Sequence, residues 1–204
     1  MSGVITQKEF NAILKTDFVF EDKPNIGLCV SGGVDSLALF FLMQKWIKEC
    51  SGKLSIFHFN HNLRNESSFE AGLLKSKLRE FGHKVFVLDW KRNSKIKKNM
   101  RVARDARYKV LDSVISSNEI CCLGHHLDDS FEWSLMRMFR SGESDFMKGI
   151  PRYRHPYLRP LSSITRDEIS SFCEEFNVCY FEDVSNLDSF SDRNFLRNNI
   201  IPNI

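Results

Sequence analysis

The residues Ser31-Gly32-Gly33-Val34-Asp35-Ser36 close one apolar run, and apolar residues resume directly after them. Paired glycines straight after a strand-like run let backbone approach a phosphate, and a helix starting there turns its positive end toward the same anion. Ser31 and Ser36 add hydroxyl groups. No lysine follows at the spacing of the G-x-x-x-x-G-K-S/T loop that serves most nucleoside triphosphates. The charged residue is Asp35, which repels phosphate unless a divalent cation stands between them, so the loop predicts magnesium. The plainer alternative is an ordinary strand-to-helix turn with an acid in the first helical turn.

A second constellation, GHHLDDSFE, runs from Gly124 to Glu132. Asp129 and Glu132 are three apart, on one face of a helix, where two carboxylates hold a hard cation. His125 and His126 are adjacent and point in different directions, which suits zinc poorly. A helix N-terminus that favours acids would explain Asp128 or Asp129, but not the two histidines as well. Residues 91–109 hold nine Lys/Arg against the single acid Asp105, a local net of +8 in a chain whose total is +3. The remainder therefore sums to −5, and the basic character is concentrated in one segment. Lys97, Arg101 and Arg104 share a helix face that Arg107 continues. The lysines read as a solvated face, whereas Arg104 and Arg107 are expected to contact phosphate, whose geometry matches the guanidinium fork. A fourth segment, FNHNLR, puts Asn60, His61 and Arg64 into one loop.

These residues need a frame to bring them together. Apolar runs at 25–30, 53–60, 84–90 and 119–124 predict strands, and they alternate with amphipathic helices at 35–48, 67–81, 99–116 and 128–139. Four successive βα units give an α/β fold, a parallel twisted sheet with helices on both faces. Right-handed crossovers then place every strand's C-terminal end, with loops 31–36, 60–64, 91–99 and 124–129, on one edge. Farther on, a helix at 165–176 is expected with Thr165 as its cap and Glu168 three residues later, and a short helix at 193–200 follows a polar, ordered loop. With 204 residues, 42% of them hydrophobic, the chain is expected to form a single domain over 1–204, with a core at about 24–141 and an extension at about 142–204. A charged fraction of 27% argues against wholesale disorder. No run approaches the ~20 apolar residues that span a bilayer, and no leader-like apolar stretch opens the chain, so a cytoplasmic protein is expected. Six cysteines without a C-x-x-C pair are expected to be reduced thiols.

With its segments in this order, the chain resembles the N-type ATP pyrophosphatase, or PP-loop, superfamily, whose fold is Rossmann-like and of the adenine nucleotide alpha hydrolase type. The SGG-x-DS loop is common to GMP synthetases, NAD synthetases and tRNA thiolases of that superfamily. FNHNLR, ARDARY, GHHLDDSFE with RMFRSG, LRPL and EDVSNLDSFSDRNFLRNNIIP are similar to the tRNA(Ile)-lysidine synthetase branch, and the likeness spans about 25–202. It implies ATP-dependent attachment of L-lysine to C2 of the wobble cytidine in a tRNA(Ile) with a CAU anticodon, through an adenylated base, with release of diphosphate and AMP. It implies that ATP lies against Ser31, Gly32, Gly33, Val34, Asp35, Ser36, Asn60, His61 and Gly124. By the same resemblance, Asp35, Asp129 and Glu132 would hold Mg2+ or the lysine ammonium, and Arg104 and Arg193 would balance phosphate charge. A homodimer is compatible with this, and no membrane partner is implied. The chain departs from the family near Met100, where a glutamate is common, and at Trp133, where a threonine is common. It also stops at Ile204, where relatives continue into helical tRNA-binding domains. The rival readings are a tRNA thiolase, which would call for a C-x-x-C pair, a persulfide cysteine or an iron–sulfur cluster, and a non-catalytic nucleotide- or RNA-binding module, which would not need Asp129 and Glu132.

Overall fold

The computed structural model describes residues 3–62, 66–90, 100–115, 119–141, 148–180 and 192–203. Arg64, Lys97 and the tail segment 181–191 lie outside the described residues. Four βα pairs occur in the expected order: β1 (Asn25–Cys29), α2 (Val34–Glu49), β2 (Lys53–Asn60), α3 (Ser67–Arg79), β3 (Lys84–Asp89), α4 (Met100–Val114), β4 (Ile120–Cys122) and α5 (Leu127–Ser141). Before them stands α1 (Gln7–Asp17), absent from the sequence expectation although Thr6 and Glu9 form a reciprocal capping box that starts it. After them come β5 (Tyr153–Arg154), β6 (Tyr157–Leu158) and α6 (Arg166–Glu175). Thr165 caps α6 with Glu168 reaching back, as the spacing predicts. Last comes α7 (Asp192–Phe195), which runs into a wider turn at Leu196–Ile200 and a tight one at Ile201–Asn203.

The sheet order is β3-β2-β1-β4-β6-β5. The first five strands of that order pair in parallel, and β5 returns antiparallel on β6. The segment after residue 141 therefore extends the same sheet. β4 spans three residues rather than the expected six.

Alternation along the strands sorts the core to two faces. Ile26, Leu28 and Val30, with Leu54, Ile56 and Val85, face α1, α2, α3 and α6. Phe57, Cys121, Leu123 and Tyr157 face Leu111 and Tyr108 of α4 on the other side. Gly27 belongs to this second face, where a Cβ would meet the Phe57 ring at 2.9 Å. No described helix is long and apolar enough to cross a membrane.

Candidate active site

The loop between β1 and α2 is held from inside. Ser36 is buried, and its Oγ accepts from the N–H groups of Ser31 (3.1 Å) and Gly32 (3.2 Å) while donating to the Gly33 carbonyl (2.9 Å). Gly32 sits at φ 96°, a left-handed conformation that costs glycine nothing. Paired glycines suggest N–H groups bare to a phosphate; instead those of Ser31 and Gly32 are spent on Ser36, and that of Gly33 donates to Ser31 Oγ at 3.4 Å. The donors left to an anion are the first-turn N–H groups of α2, at Val34, Asp35 and Ser36, which have no intrahelical acceptor. Gly124, at the end of β4, lies against this turn: a Cβ there would meet the Cα and N of Ser36, each at 3.3 Å.

Three helix N-termini converge beside the loop. Leu127 at the start of α5 donates its N–H to Ile164 (2.9 Å), and Asp128 accepts the N–H of Arg166, the first residue of α6 (2.8 Å). Asp128 thus serves α6, while Asp129 turns inward. Asp35 receives Arg166 Nη1 on Oδ2 at 3.0 Å, and its Oδ1 is buried without a hydrogen-bond partner. Burial raises the Asp35 pKa, and His126 and Arg166 oppose that rise.

His126, 2% exposed, links the carboxylates. Its Nε2 lies 3.8 Å from Asp35 Oδ1 and 3.5 Å from Asp129 Oδ2, and its Nδ1 lies 3.4 Å from Asp128 Oδ2. Its backbone N–H donates to Asp129 Oδ2 at 3.0 Å. Burial pushes the Asp129 pKa up, but His126, Arg193 and that N–H outweigh it and leave the carboxyl lowered.

Asp129 and Glu132 share a helix face, and the cation between them is Arg193. It bonds Asp129 Oδ1 through Nη2 and Glu132 Oε2 through Nε at 2.6 Å. Arg197 donates Nε to Glu132 Oε1 at 2.5 Å and Nη2 to Oε2 at 3.1 Å. Among the described residues no group of three or more His, Cys, Asp or Glu side chains is arranged to hold a metal ion.

The remaining candidates are more dispersed. Asn60 is buried and spends its amide on Asp89 and Asn62, each at 2.9 Å, and accepts the Asn62 N–H at 3.0 Å; it shapes the loop after β2. The His61 ring packs 4.7 Å from Phe59 and 6.4 Å from Trp90. Arg104 is exposed on α4, with its guanidinium 5.8 Å from the Tyr108 ring centre. It touches neither the loop nor Asp129 directly, but it acts on the charge of His125. Burial, together with Arg159, Arg107 and Arg104, drives the His125 pKa down to about 3. Sequence reasoning assigned no part to Arg166, Arg197 or Arg159. Arg166 lies 131 residues from Asp35, and no local spacing announces that contact.

A model of the PP-loop domain matches residues 3–204. The chain belongs to the PP-loop family. The PP-loop chain is 30% identical over 205 residues to the tRNA(Ile)-lysidine synthase of Lactiplantibacillus plantarum, covering 97% of itself and 46% of that protein. It is 36% identical over 187 residues to the tRNA(Ile)-lysidine synthase of Wolbachia pipientis wMel, covering 85% of itself and 42% of the relative. The chain thus spans less than half the length of these curated relatives. Among solved structures, a U34-tRNA thiolase from Methanococcus maripaludis superposes with a TM-score of 0.68 at 22% identity, over 86% of this chain and 65% of the thiolase. That likeness is one of fold.

Proposed function

We propose that this PP-loop chain carries the catalytic centre of a tRNA(Ile)-lysidine synthase, joining L-lysine to C2 of the wobble cytidine of a CAU-anticodon tRNA(Ile) at the expense of ATP. The observation that carries the reading is the placement of Asp129, Glu132 and Arg193 beside Asp35: a carboxylate pair already clasping one organic cation, next to an anion-seeking helix terminus. The curated relatives support the substrate class.

In this reading, ATP lies with its phosphates toward the first turn of α2, whose three N–H groups and positive end stabilise the diphosphate as it leaves. The cytidine O2 attacks the α-phosphorus, the α–β bond breaks, and the base is left as a C2–O–AMP adduct. Magnesium fits Asp35, whose Oδ1 is a buried anionic oxygen without a hydrogen-bond partner. When bound there, it supplies charge neutralisation at the phosphates. Asp129 and Glu132 then receive the lysine ammonium in exchange for Arg193, whose side chain is 45% exposed and would give up its bonds to both carboxylates. A carboxylate takes the ammonium proton, the freed amine attacks C2, and AMP departs with the bonding pair. Arg193 and Arg104 offset the phosphate charge.

The test incubates the chain with ATP–Mg, labelled lysine and unmodified CAU-anticodon tRNA(Ile), and counts label in the tRNA. Label transfer is expected. In a parallel incubation with a sulfide or persulfide donor, sulfur incorporation without lysine transfer would overturn the reading in favour of a thiolase. Asp35→Ala should lose AMP release while its circular dichroism spectrum stays that of the parent; retained release would show that Asp35 does not serve the phosphates.

A further inference from the structure

β6 lies parallel beside β4, and the Leu123 N–H donates to the Leu158 carbonyl at 2.8 Å, so Arg159 emerges on the same sheet edge as Gly124 and His125. Arg159 is only 5% exposed. Its Nη1 donates to the Pro151 carbonyl at 2.8 Å, while its Nε is buried without an acceptor among the described residues. On α4, Arg107 Nε and the Tyr108 hydroxyl are buried without a hydrogen bond of standard geometry among the described residues, although the Tyr108 hydroxyl lies near enough to the Arg159 guanidinium to act on its charge. The Arg107 guanidinium lies 5.3 Å from the Tyr108 ring centre. That ring in turn packs edge-on at 4.9 Å against Tyr157, two residues before Arg159. No described carboxylate pairs with Arg104, Arg107 or Arg159; the Tyr157 hydroxyl donates to the neighbouring Asp112. Buried guanidinium donors are costly to leave unmatched, and like charges held together repel. Donors gathered from two elements around a tyrosine pair, with no carboxylate paired to them among the described residues, are arranged for an oxyanion. The fork geometry favours phosphate.

We propose that Arg159, Arg107 and Tyr108 form a second anion pocket, separate from the loop after β1, that grips a phosphodiester of the RNA strand carrying the reacting base. The pocket rests on the RNA-modifying function proposed above. Its position separates it from the nucleotide: β4 stands between β1 and β6, so two strand spacings, about 10 Å, lie between the loop and Arg159. Phosphates seated on α2 leave this pocket to the other substrate. Arg159 is then a binding residue that sets the register of the RNA, with the cytidine directed toward His126 and Asp129.

The test measures binding of a CAU-loop RNA hairpin, and separately of a non-hydrolysable ATP analogue, between about 50 and 200 mM salt. Arg159→Gln and Arg107→Gln should each weaken the hairpin roughly tenfold, the effect of one lost charge-assisted contact. Each should also flatten the log–log salt slope by about 0.7, one phosphate on a single strand. The ATP analogue should bind both variants as it binds the parent. Loss of the analogue with the hairpin unaffected would assign the pocket to nucleotide phosphate and overturn the proposal, as would folded variants with unchanged hairpin affinity. Arg107→Gln decides the matter if Arg159→Gln fails to fold. A parent chain that binds the hairpin, loses it in these variants and yet transfers no lysine would sink the lysidine reading while leaving the pocket in place.

Discussion

Glu132 is the most demanding single residue in the site. It is 2% exposed and takes three charge-assisted hydrogen bonds from Arg193 and Arg197, whose side chains are 45% and 34% exposed. The burial is asymmetric, so the cost of breaking the cluster is asymmetric too. Removing both arginines leaves a carboxylate in the interior without a cation, which costs about 3–5 kcal/mol. Neutralising Glu132 releases the Arg197 guanidinium, which can turn into water, and leaves Arg193 paired with Asp129. Arg193→Ala with Arg197→Ala should therefore lower the urea midpoint more than Glu132→Gln does, and the reverse order would show that the arginines, not the glutamate, are the trapped charges. Spacing made the Asp129–Glu132 pair legible. Its cation was not, because Arg193 comes from 61 residues beyond Glu132.

At the scale of elements, the site depends on how closely β4 approaches α2. Gly124 allows the end of β4 to lie against the first turn of α2, where a Cβ would stand 3.3 Å from Ser36 backbone and 3.4 Å from the Asp35 carbonyl carbon. Backbone yields less readily than a side-chain tip, so Gly124→Ala should push the loop off its seat. Overpacking of this kind costs about 1–3 kcal/mol, and a misplacement on the order of 1 Å can cost about a hundredfold in rate. The expected result is a modest loss in thermal stability with a much larger loss of AMP release; equal activity would show that the loop tolerates the shift. The expected βα alternation matches the structure element by element because long strands and amphipathic helices carry strong patterns. β5 and β6 are two residues each and carry none, yet β6 is what brings Arg159 to the site edge.

At the scale of the molecule, the functional edge concentrates buried titratable groups, and folding is coupled to pH through them. His125 meets Asp129 from α5, Arg104 and Arg107 from α4, and Arg159 from the end of β6; burial and the three arginines prevail, and its pKa falls to about 3. The folded chain therefore binds fewer protons than the unfolded chain between pH ~6.5 and pH ~3. The stability contribution is complete above that window and is lost as the pH falls through it, at up to about 1.4 kcal/mol per pH unit. His58 and His83, both lowered chiefly by burial, act in the same direction, whereas Asp35, raised by burial, opposes them above the ordinary aspartate value. Asp129, lowered overall, adds its loss only as the pH drops below the ordinary aspartate value of about 3.8. Urea midpoints measured from pH 7 to pH 4 should decline, and His125→Asn should flatten the decline. An unchanged slope would place the titration elsewhere.

The sequence by itself determined the α/β alternation, the loop after the first strand, the cap of α6 and the paired acids at the start of α5. Each of these is a local pattern, set by the period of side chains along a strand or helix, by turn residues and by capping chemistry. Only the tertiary structure decided that Ser36 spends the loop's own N–H groups, that Asp128 serves α6 while Asp129 faces His126, that Arg193 clasps Asp129 and Glu132, and that Arg166, Arg197 and Arg159 are further cations of this edge. The Ser36 and His126–Asp129 contacts are local but depend on how the loop folds, whereas Asp128 with Arg166, the Arg193 and Arg197 pairs and Asp35 with Arg166 join residues 38 to 131 positions apart. Strand order and helix packing bring such residues together, and spacing along the chain carries no record of it.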